Sequence, residues 1–197
     1  MGSRVRCICI ESNEDHMVAI TAELKDDFSL DVQQMLVSPA GDSPSISAPA
    51  LAAADFVVTT VFHEAAGRAA AKRAGKPCIV LSTNPEYAAE LNRRLKGREV
   101  TAVIADPRYS ARANAYLEVT PHRGQVRFVL VDELDGPEHL ELESEEVLVT
   151  RAARRRLGLP EYHLIPSPPP YISPASARTL CEVIVDVGRG AGRAAPK

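Results

Sequence analysis

The stretch Thr59-Thr60-Val61-Phe62-His63 carries the residue types best suited to contact a ligand. Two hydroxyl groups end an apolar run, and a histidine follows them. Hydroxyls donate and accept hydrogen bonds, and a histidine can bind a carboxylate or transfer a proton near neutral pH. The stretch therefore indicates a ligand contact, and the alternative for His63 is a helix-capping or packed side chain.

Comparable polar residues follow other apolar runs of the chain. In parallel sheets the ligand lies beyond the carboxyl ends of the strands, where helix N-termini offer N–H groups and partial positive charge. We therefore predict a small ligand that is polar or anionic. The predicted ligand-binding residues are Ser12, Asn13, Thr59, Thr60, His63, Asp106, Arg108, Tyr109, Ser110, Thr150 and Arg151. The alternative is that these residues only cap helices.

Motifs for common catalytic and cofactor chemistry are missing from the sequence. There is no nucleophile elbow, no phosphate-binding P-loop and no G-x-G-x-x-G run between a strand and a helix. The cysteines lie in apolar runs without a C-x-x-C pair, which is typical of packed thiols in a cytoplasmic protein. They are Cys7, Cys9, Cys78 and Cys181. We predict no metal, no cofactor and no catalytic residue.

Strands and helices that alternate along the chain must position these residues. Short apolar runs rich in β-branched residues predict the strands, and caps such as Asn84-Pro85 and Asp106-Pro107 predict helix starts. The predicted strands are Val5–Ile10, Val32–Val37, Asp55–Thr60, Pro77–Leu81, Val100–Ala105, Val126–Val131, Glu146–Thr150 and His163–Pro166. This alternation indicates parallel sheets with right-handed crossovers.

The order of elements occurs twice. Cys9-Ile10-Glu11-Ser12 returns as Val103-Ile104-Ala105-Asp106, and Val57-Val58-Thr59 returns as Leu148-Val149-Thr150. We therefore predict an α/β fold of two similar lobes, each with a parallel sheet of about four strands flanked by helices, and a ligand cleft between them. The predicted divisions are an N-terminal lobe over 1–97, a C-terminal lobe over 98–187 and a flexible tail over 188–197. The alternative is one continuous doubly wound sheet.

Composition limits the partners. The chain has 197 residues, a formal net charge of −3 and 45% apolar residues, as in an ordinary soluble globular protein. This charge gives no general reason to expect nucleic-acid binding. No apolar run is long enough for a membrane span, and the first residues do not form a signal peptide. We expect a cytoplasmic protein with no membrane partner.

The segment Ala54–His63 resembles the strand-to-helix segment in the C-terminal effector domain of GntR-type bacterial transcription regulators. Glu146–Arg151 and Ile172–Ala177 resemble later segments of that domain. The resemblance implies a two-lobed ligand sensor that acts as a homodimer. Such domains follow a winged helix-turn-helix, whereas this chain begins with a strand. Contact with DNA is therefore expected only through a helix-turn-helix module that is not present in this chain.

The doubled lobe is also similar to the aspartate/glutamate racemase group. Those enzymes place a cysteine at a strand end in each lobe as a paired acid and base. The corresponding positions here are Thr59 or Thr60 and Thr150, and threonine cannot replace a thiolate in this proton transfer. We therefore expect binding without turnover. The alternative is a racemase- or isomerase-like enzyme that acts on a small carboxylic acid through His63 or Asp106 and a thiol.

Overall fold

The computed structural model describes residues 4–38, 47–117, 125–136, 146–159 and 169–193. The chain divides into two compact units, each assembled from separate stretches. Unit 1 comprises Met1–Ser12, Ile20–Thr83 and Tyr171–Lys197, and unit 2 comprises Asn13–Ala19 and Asn84–Pro170. This division differs from the predicted boundary after residue 97, because residues 84–97 group with unit 2 and residues from Tyr171 onward group with unit 1.

Unit 1 contains a sheet of four parallel strands. The strands are β1 (Arg6–Glu11), β2 (Asp31–Leu36), β3 (Phe56–Thr60) and β4 (Cys78–Leu81), in the order β2-β1-β3-β4. The inner strands β1 and β3 are almost entirely buried, as expected for parallel strands covered on both faces. The helices along this part of the chain are α1 (Glu14–Asp26), whose first residues belong to unit 2, α2 (Ala48–Ala53) and α3 (Glu64–Ala74).

Helix α3 lies very close to β3. A Cβ atom built on Gly67 would lie 2.5 Å from Cγ2 of Thr59, so only glycine permits this approach. The helix ends at Gly75, which adopts the left-handed conformation with φ of 65°. A short 3-10 helix, Val61–His63, connects β3 to α3. These constraints fix the chain that follows the end of β3.

Unit 2 contains a second parallel sheet. Its described strands are β5 (Glu99–Ile104), β6 (Gln125–Leu130) and β7 (Glu146–Val149), in the order β6-β5-β7. Its helices are α4 (Pro85–Leu95), α5 (Arg108–Leu117) and α6 (Arg151–Arg156), with a 3-10 helix at Val131–Glu133. The predicted strand His163–Pro166 lies outside the described residues. The prediction of an α/β fold with two parallel sheets flanked by helices is confirmed.

The two sheets share one arrangement, in which the first strand lies between the second and the third. Ile10 of β1 belongs to the core cluster that contains residues of α3, and Val103 of β5 belongs to the cluster that contains residues of α6. Because β1 and β5 both have six residues, Ile10 and Val103 have the same position in their strands, whereas the sequence pattern pairs Ile10 with Ile104. The structural register of the repeat differs from the sequence pattern by one residue.

Helix α7 (Pro174–Arg193) belongs to unit 1. The backbone N–H of Ser173, just before the helix, donates to the carbonyl of Ser82, just after β4, at 3.0 Å. The backbone N–H groups of Tyr171 and Ile172 donate to the carboxylate of Glu23 in α1, at 2.8 and 3.1 Å. Leu180 is completely buried. The helix continues to Arg193, so residues 188–193 are helical where the sequence predicted a flexible tail. Among the described residues, no helix combines the length and apolar composition needed to cross a lipid bilayer.

Candidate functional site: two carboxylate clusters at the strand ends

A buried glutamate lies at the carboxyl end of β1 in unit 1. The side chain of Glu11 is inaccessible to solvent. Its Oε1 atom accepts the backbone N–H of Ser12 at 2.7 Å, and its Oε2 atom accepts the Thr60 hydroxyl at 2.8 Å. The pairing of Ile10 with Thr59 brings the next residues of the two strands together. We call Glu11, Ser12, Thr60 and His63 the Glu11 cluster.

His63 completes the Glu11 cluster. Its Nε2 atom lies 2.9 Å from Oε1 of Glu11 and 3.2 Å from the backbone nitrogen of Ser12. The backbone N–H of Ser12 is directed at both Oε1 of Glu11 and Nε2 of His63. These three groups thus form one compact hydrogen-bonded group. The His63 side chain is 14% exposed, and the other three residues are buried, so the cluster reaches the surface through its histidine.

Thr59 and Thr60 have different environments because they alternate across the strand. The Thr60 hydroxyl belongs to the Glu11 cluster. Thr59 is completely buried under α3, and its hydroxyl donates to the carbonyl of Ile10 at 3.2 Å. Of these two predicted ligand residues, Thr59 therefore forms part of the core. Val61 and Phe62, between Thr60 and His63, are both exposed.

A buried aspartate has the corresponding place in unit 2. The carboxylate of Asp15, in the first turn of α1, accepts the backbone N–H groups of Ala105 at 3.2 Å and Asp106 at 2.9 Å. It also accepts the hydroxyl of Thr150, which directly follows β7. Burial raises the pKa of Asp15, although these hydrogen bonds oppose the shift. We call Asp15, Ala105, Asp106 and Thr150 the Asp15 cluster.

Asp106 connects the Asp15 cluster to α5. Its carboxylate accepts the backbone N–H groups of Glu14 at 3.1 Å and Arg108 at 3.0 Å, and the Nε–H of Arg108 at 2.8 Å. Burial alone would raise the pKa of Asp106, but the bonds from Arg108 and Glu14 lower it below its ordinary value. The Arg108 side chain remains 44% exposed. Asp106 thus holds a partly exposed guanidinium at the carboxyl edge of the second sheet.

Helix α5, which begins with Arg108, contacts α1 through an arginine and a histidine that the sequence did not indicate. His16 is buried in the first turn of α1, with its Nδ1 atom 3.1 Å from Nη1 of Arg112 in α5. Since arginine only donates, Nδ1 accepts this bond. The ring of Tyr109 meets the His16 ring edge-on, with centroids 5.3 Å apart. Tyr109 therefore contacts His16 as well as lying in the predicted ligand set.

The remaining predicted residues are less closely connected to the two clusters. Asn13 is buried, and its Oδ1 atom accepts the backbone N–H of His16 at 3.1 Å, as a helix cap does. The hydroxyl of Ser110 donates to the carbonyl of Pro107 at 2.8 Å. Arg151 is exposed at the first position of α6. The structure thus unites Ser12, Thr60 and His63 in unit 1, and Asp106, Arg108 and Thr150 in unit 2.

Both clusters hold their carboxylates with the same kind of donors. A backbone N–H just after the central strand and a threonine hydroxyl at the end of the third strand contact Glu11 in unit 1 and Asp15 in unit 2. The sequence prediction missed Glu11, Asp15, His16 and Arg112. Glu11 carried a signal, because it ends a strand whose other inner positions are apolar and buried.

The thiols lie away from these strand ends in the chain. Cys7 and Cys9 lie inside β1 and are buried. Burial is the main cause that raises the pKa of Cys7 to about 12, and it raises the pKa of Cys9 as well. Within the described stretches, no group of three or more histidine, cysteine and acidic residues could hold a metal ion. Both thiols are therefore poor nucleophiles and poor acid–base groups near neutral pH.

Comparison with protein-family models, with curated proteins and with solved structures finds no match for this chain.

Proposed function

We propose that this chain is a ligand-sensing effector domain of a transcription regulator, which binds a small polar or anionic metabolite at the carboxyl edges of its parallel sheets. The observation that carries the proposal is the pair of preorganised clusters around Glu11 and Asp15. Both lie where ligands of parallel sheets bind. The helix-turn-helix that contacts DNA would be a separate module, and the regulator would act as a homodimer.

In unit 1, His63 is the residue best placed to contact the ligand. Glu11 fixes its ring through Nε2, and the imidazole is the partly exposed member of a buried group. A histidine oriented by a carboxylate presents a hydrogen-bonding group without losing side-chain freedom at the moment of binding. This preorganisation supports a binding role for His63.

In unit 2, Arg108 is the residue best placed to attract an anion. Asp106 engages one edge of its guanidinium, while 44% of the side chain remains exposed. A guanidinium has five N–H donors and can bind a carboxylate or phosphate while keeping other partners. Arg151, exposed at the start of α6, adds positive charge at the carboxyl edge of the same sheet.

The burial of the Cys7 and Cys9 thiols and their raised pKa values favour ligand binding over catalytic turnover. A racemase-like mechanism needs an acid and a base at strand ends, and Cys7 and Cys9 are buried within β1 with raised pKa values. Thr60 and Thr150 are engaged with buried carboxylates. These side chains hold the strand ends in place, which suits a site that recognises a molecule without changing it.

A thermal-shift and calorimetry screen of the purified chain tests the proposal. The probes are inorganic phosphate and a set of small carboxylates. A bound anion present at 100 times its dissociation constant should stabilise the protein by about 2.7 kcal/mol. His63→Ala or Arg108→Ala should weaken that effect, whereas Arg73→Ala, on the exposed surface of α3, should not. Absence of stabilisation by every probe would count against an anionic effector.

The enzyme alternative is tested separately. The chain would be incubated in D2O with small carboxylic acids that carry a hydrogen beside the carboxyl group, and proton NMR would follow its exchange for deuterium. We expect no exchange above the rate without protein. Exchange that His63→Ala abolishes would establish an isomerase-like activity and overturn the sensor proposal. Sedimentation velocity with and without the bound probe would test the expected homodimer.

A further inference from the structure

Exposed apolar side chains flank the Glu11 cluster. In the described part of the chain, four large hydrophobic side chains are exposed: Leu36 at 56%, Val61 at 55%, Val185 at 49% and Phe62 at 48%. Three of them lie at the carboxyl edge of the sheet in unit 1. Val61 and Phe62 separate Thr60 from His63, and Leu36 is the last residue of β2, in register with Glu11.

We infer that the effector carries an apolar group that packs on Val61 and Phe62, so that its class is a small organic acid with a hydrophobic side chain. This inference rests on the proposed function. It adds that free phosphate and phosphorylated sugars are not the preferred ligands. The hydrogen-bonding head of the molecule would face His63, and its apolar part would cover the 3-10 helix.

The local chain geometry supports this assignment. The 3-10 helix Val61–His63 contains no buried residue, although its two apolar members lie next to a fully buried strand end. Exposed apolar groups rimmed by polar ones are typical of a binding site. Thr60 before them and His63 after them are tied to Glu11, which fixes both ends of the segment. Val61 and Phe62 are thus presented on a firmly held turn.

The size of the apolar surface favours a small molecule over a protein partner. A half-exposed phenylalanine leaves on the order of 100 Å² in water, and the smaller side chains of Val61 and Leu36 each add less, so the three together offer less than about 300 Å². A stable protein interface needs about 800 Å² from each partner. A second copy of this chain would need much more apolar surface than this edge provides, whereas the side chain of a small acid would not.

Calorimetry with straight-chain monocarboxylates, from acetate to hexanoate, tests the inference on the full chain. Each added methylene that is buried should increase affinity about fourfold. Phe62→Ala should reduce this gain per methylene, and Phe62→Leu should retain most of it. His63→Ala should weaken every member of the series by a similar factor, since it removes a contact to the shared head group. Val185→Ala, which truncates an equally exposed residue on α7, is the matched control. It should change neither the gain in affinity per methylene nor the affinity that the head group contributes.

The outcomes separate the inference from the proposed function. If phosphate or acetate binds in a His63-dependent manner and affinity does not grow with chain length, the effector has no apolar group and only the inference fails. If Val185→Ala flattens the series as much as Phe62→Ala does, the assignment to Phe62 is wrong. If Phe62→Ala instead lowers self-association in sedimentation, the patch is an interface between copies. If no anion binds at all, the proposed function fails as well.

Discussion

Replacing Thr150 by valine removes one donor to the buried carboxylate of Asp15 and keeps the shape of the side chain. The hydroxyl has two roles, because it donates to Asp15 and accepts the backbone N–H of Ala153 at 3.2 Å as the N-cap of α6. A hydrogen bond to a charged group contributes about 1.5–3 kcal/mol. Loss of an N-cap costs about 0.5–2 kcal/mol. We expect Thr150→Val to lower the free energy of unfolding at neutral pH by about 2–5 kcal/mol.

The dependence on pH separates the two roles of the hydroxyl. Burial raises the pKa of Asp15 in the folded protein above its value in the unfolded chain. Protonation of Asp15 therefore stabilises the folded protein, and this contribution is complete at pH values below the pKa of the unfolded chain. That contribution is lost as the pH rises through the folded pKa. Thr150→Val raises this pKa further, because it removes a donor to the ionised form. The destabilisation that comes from the lost hydrogen bond to Asp15 should therefore be present at pH values above the pKa of Asp15 and disappear below it. The destabilisation that comes from the lost N-cap should be the same at every pH.

Urea unfolding followed by circular dichroism at a series of pH values would measure the free energy of unfolding of the wild type and of Thr150→Val. Thr150→Ser keeps the hydroxyl and should stay close to the wild type at each pH. Asp15→Asn combined with Thr150→Val completes a double-mutant cycle, in which the coupling energy reports the contact itself. A loss for Thr150→Val that is the same above and below the titration of Asp15, or that Thr150→Ser shares, would refute the reasoning.

Two further predictions concern the packing of unit 1. Gly67→Ala should destabilise the protein by about 1–3 kcal/mol in urea unfolding, because its methyl group would lie 2.5 Å from Thr59. Gly188→Ala, with open space around the added methyl, should instead be neutral or stabilising, and an equal loss for both would contradict the close approach of α3. A chromogenic thiol reagent should modify exposed Cys181 readily and buried Cys7, with its pKa raised to about 12, only on unfolding. Rapid reaction of Cys7 in the native protein would disprove its burial.

The strands could be predicted because their signal is local. Continuous apolar runs identify β1 and β3, and the cap Asn84-Pro85 marks a helix start that the structure retains. The grouping of α4 and α7 could not be predicted in this way. Local pattern shows that a helix has an apolar face but does not show which sheet that face covers. The contacts that anchor the chain before α7 join residues far apart in sequence, such as Tyr171 and Glu23.

The two buried carboxylates were missed for a related reason. Asp15 lies in the first turn of α1, where an acidic residue is expected to favour the helix dipole from an exposed position. Its carboxylate instead bonds to Thr150, 135 residues later in the chain. A residue can satisfy a local rule and a distant contact together, and only the structure distinguishes them. Within unit 1, the same limit applies to Glu11 and His63, which are separated by 52 residues.

The one-residue difference between the sequence pattern and the structure changes which residues of unit 1 correspond to which residues of unit 2. The sequence pattern pairs Thr59 with Thr150, and a shift of one residue exchanges the two faces of a strand. With Ile10 matched to Val103, Thr60 corresponds to Thr150, and both threonines donate to a buried carboxylate. Thr59 then corresponds to Val149, and each of these packs on the interior side. The repeated feature is therefore a threonine that holds an acid at the end of the third strand. The acids themselves come from different elements, β1 for Glu11 and α1 for Asp15, so the two units supply the buried carboxylate from different parts of the fold.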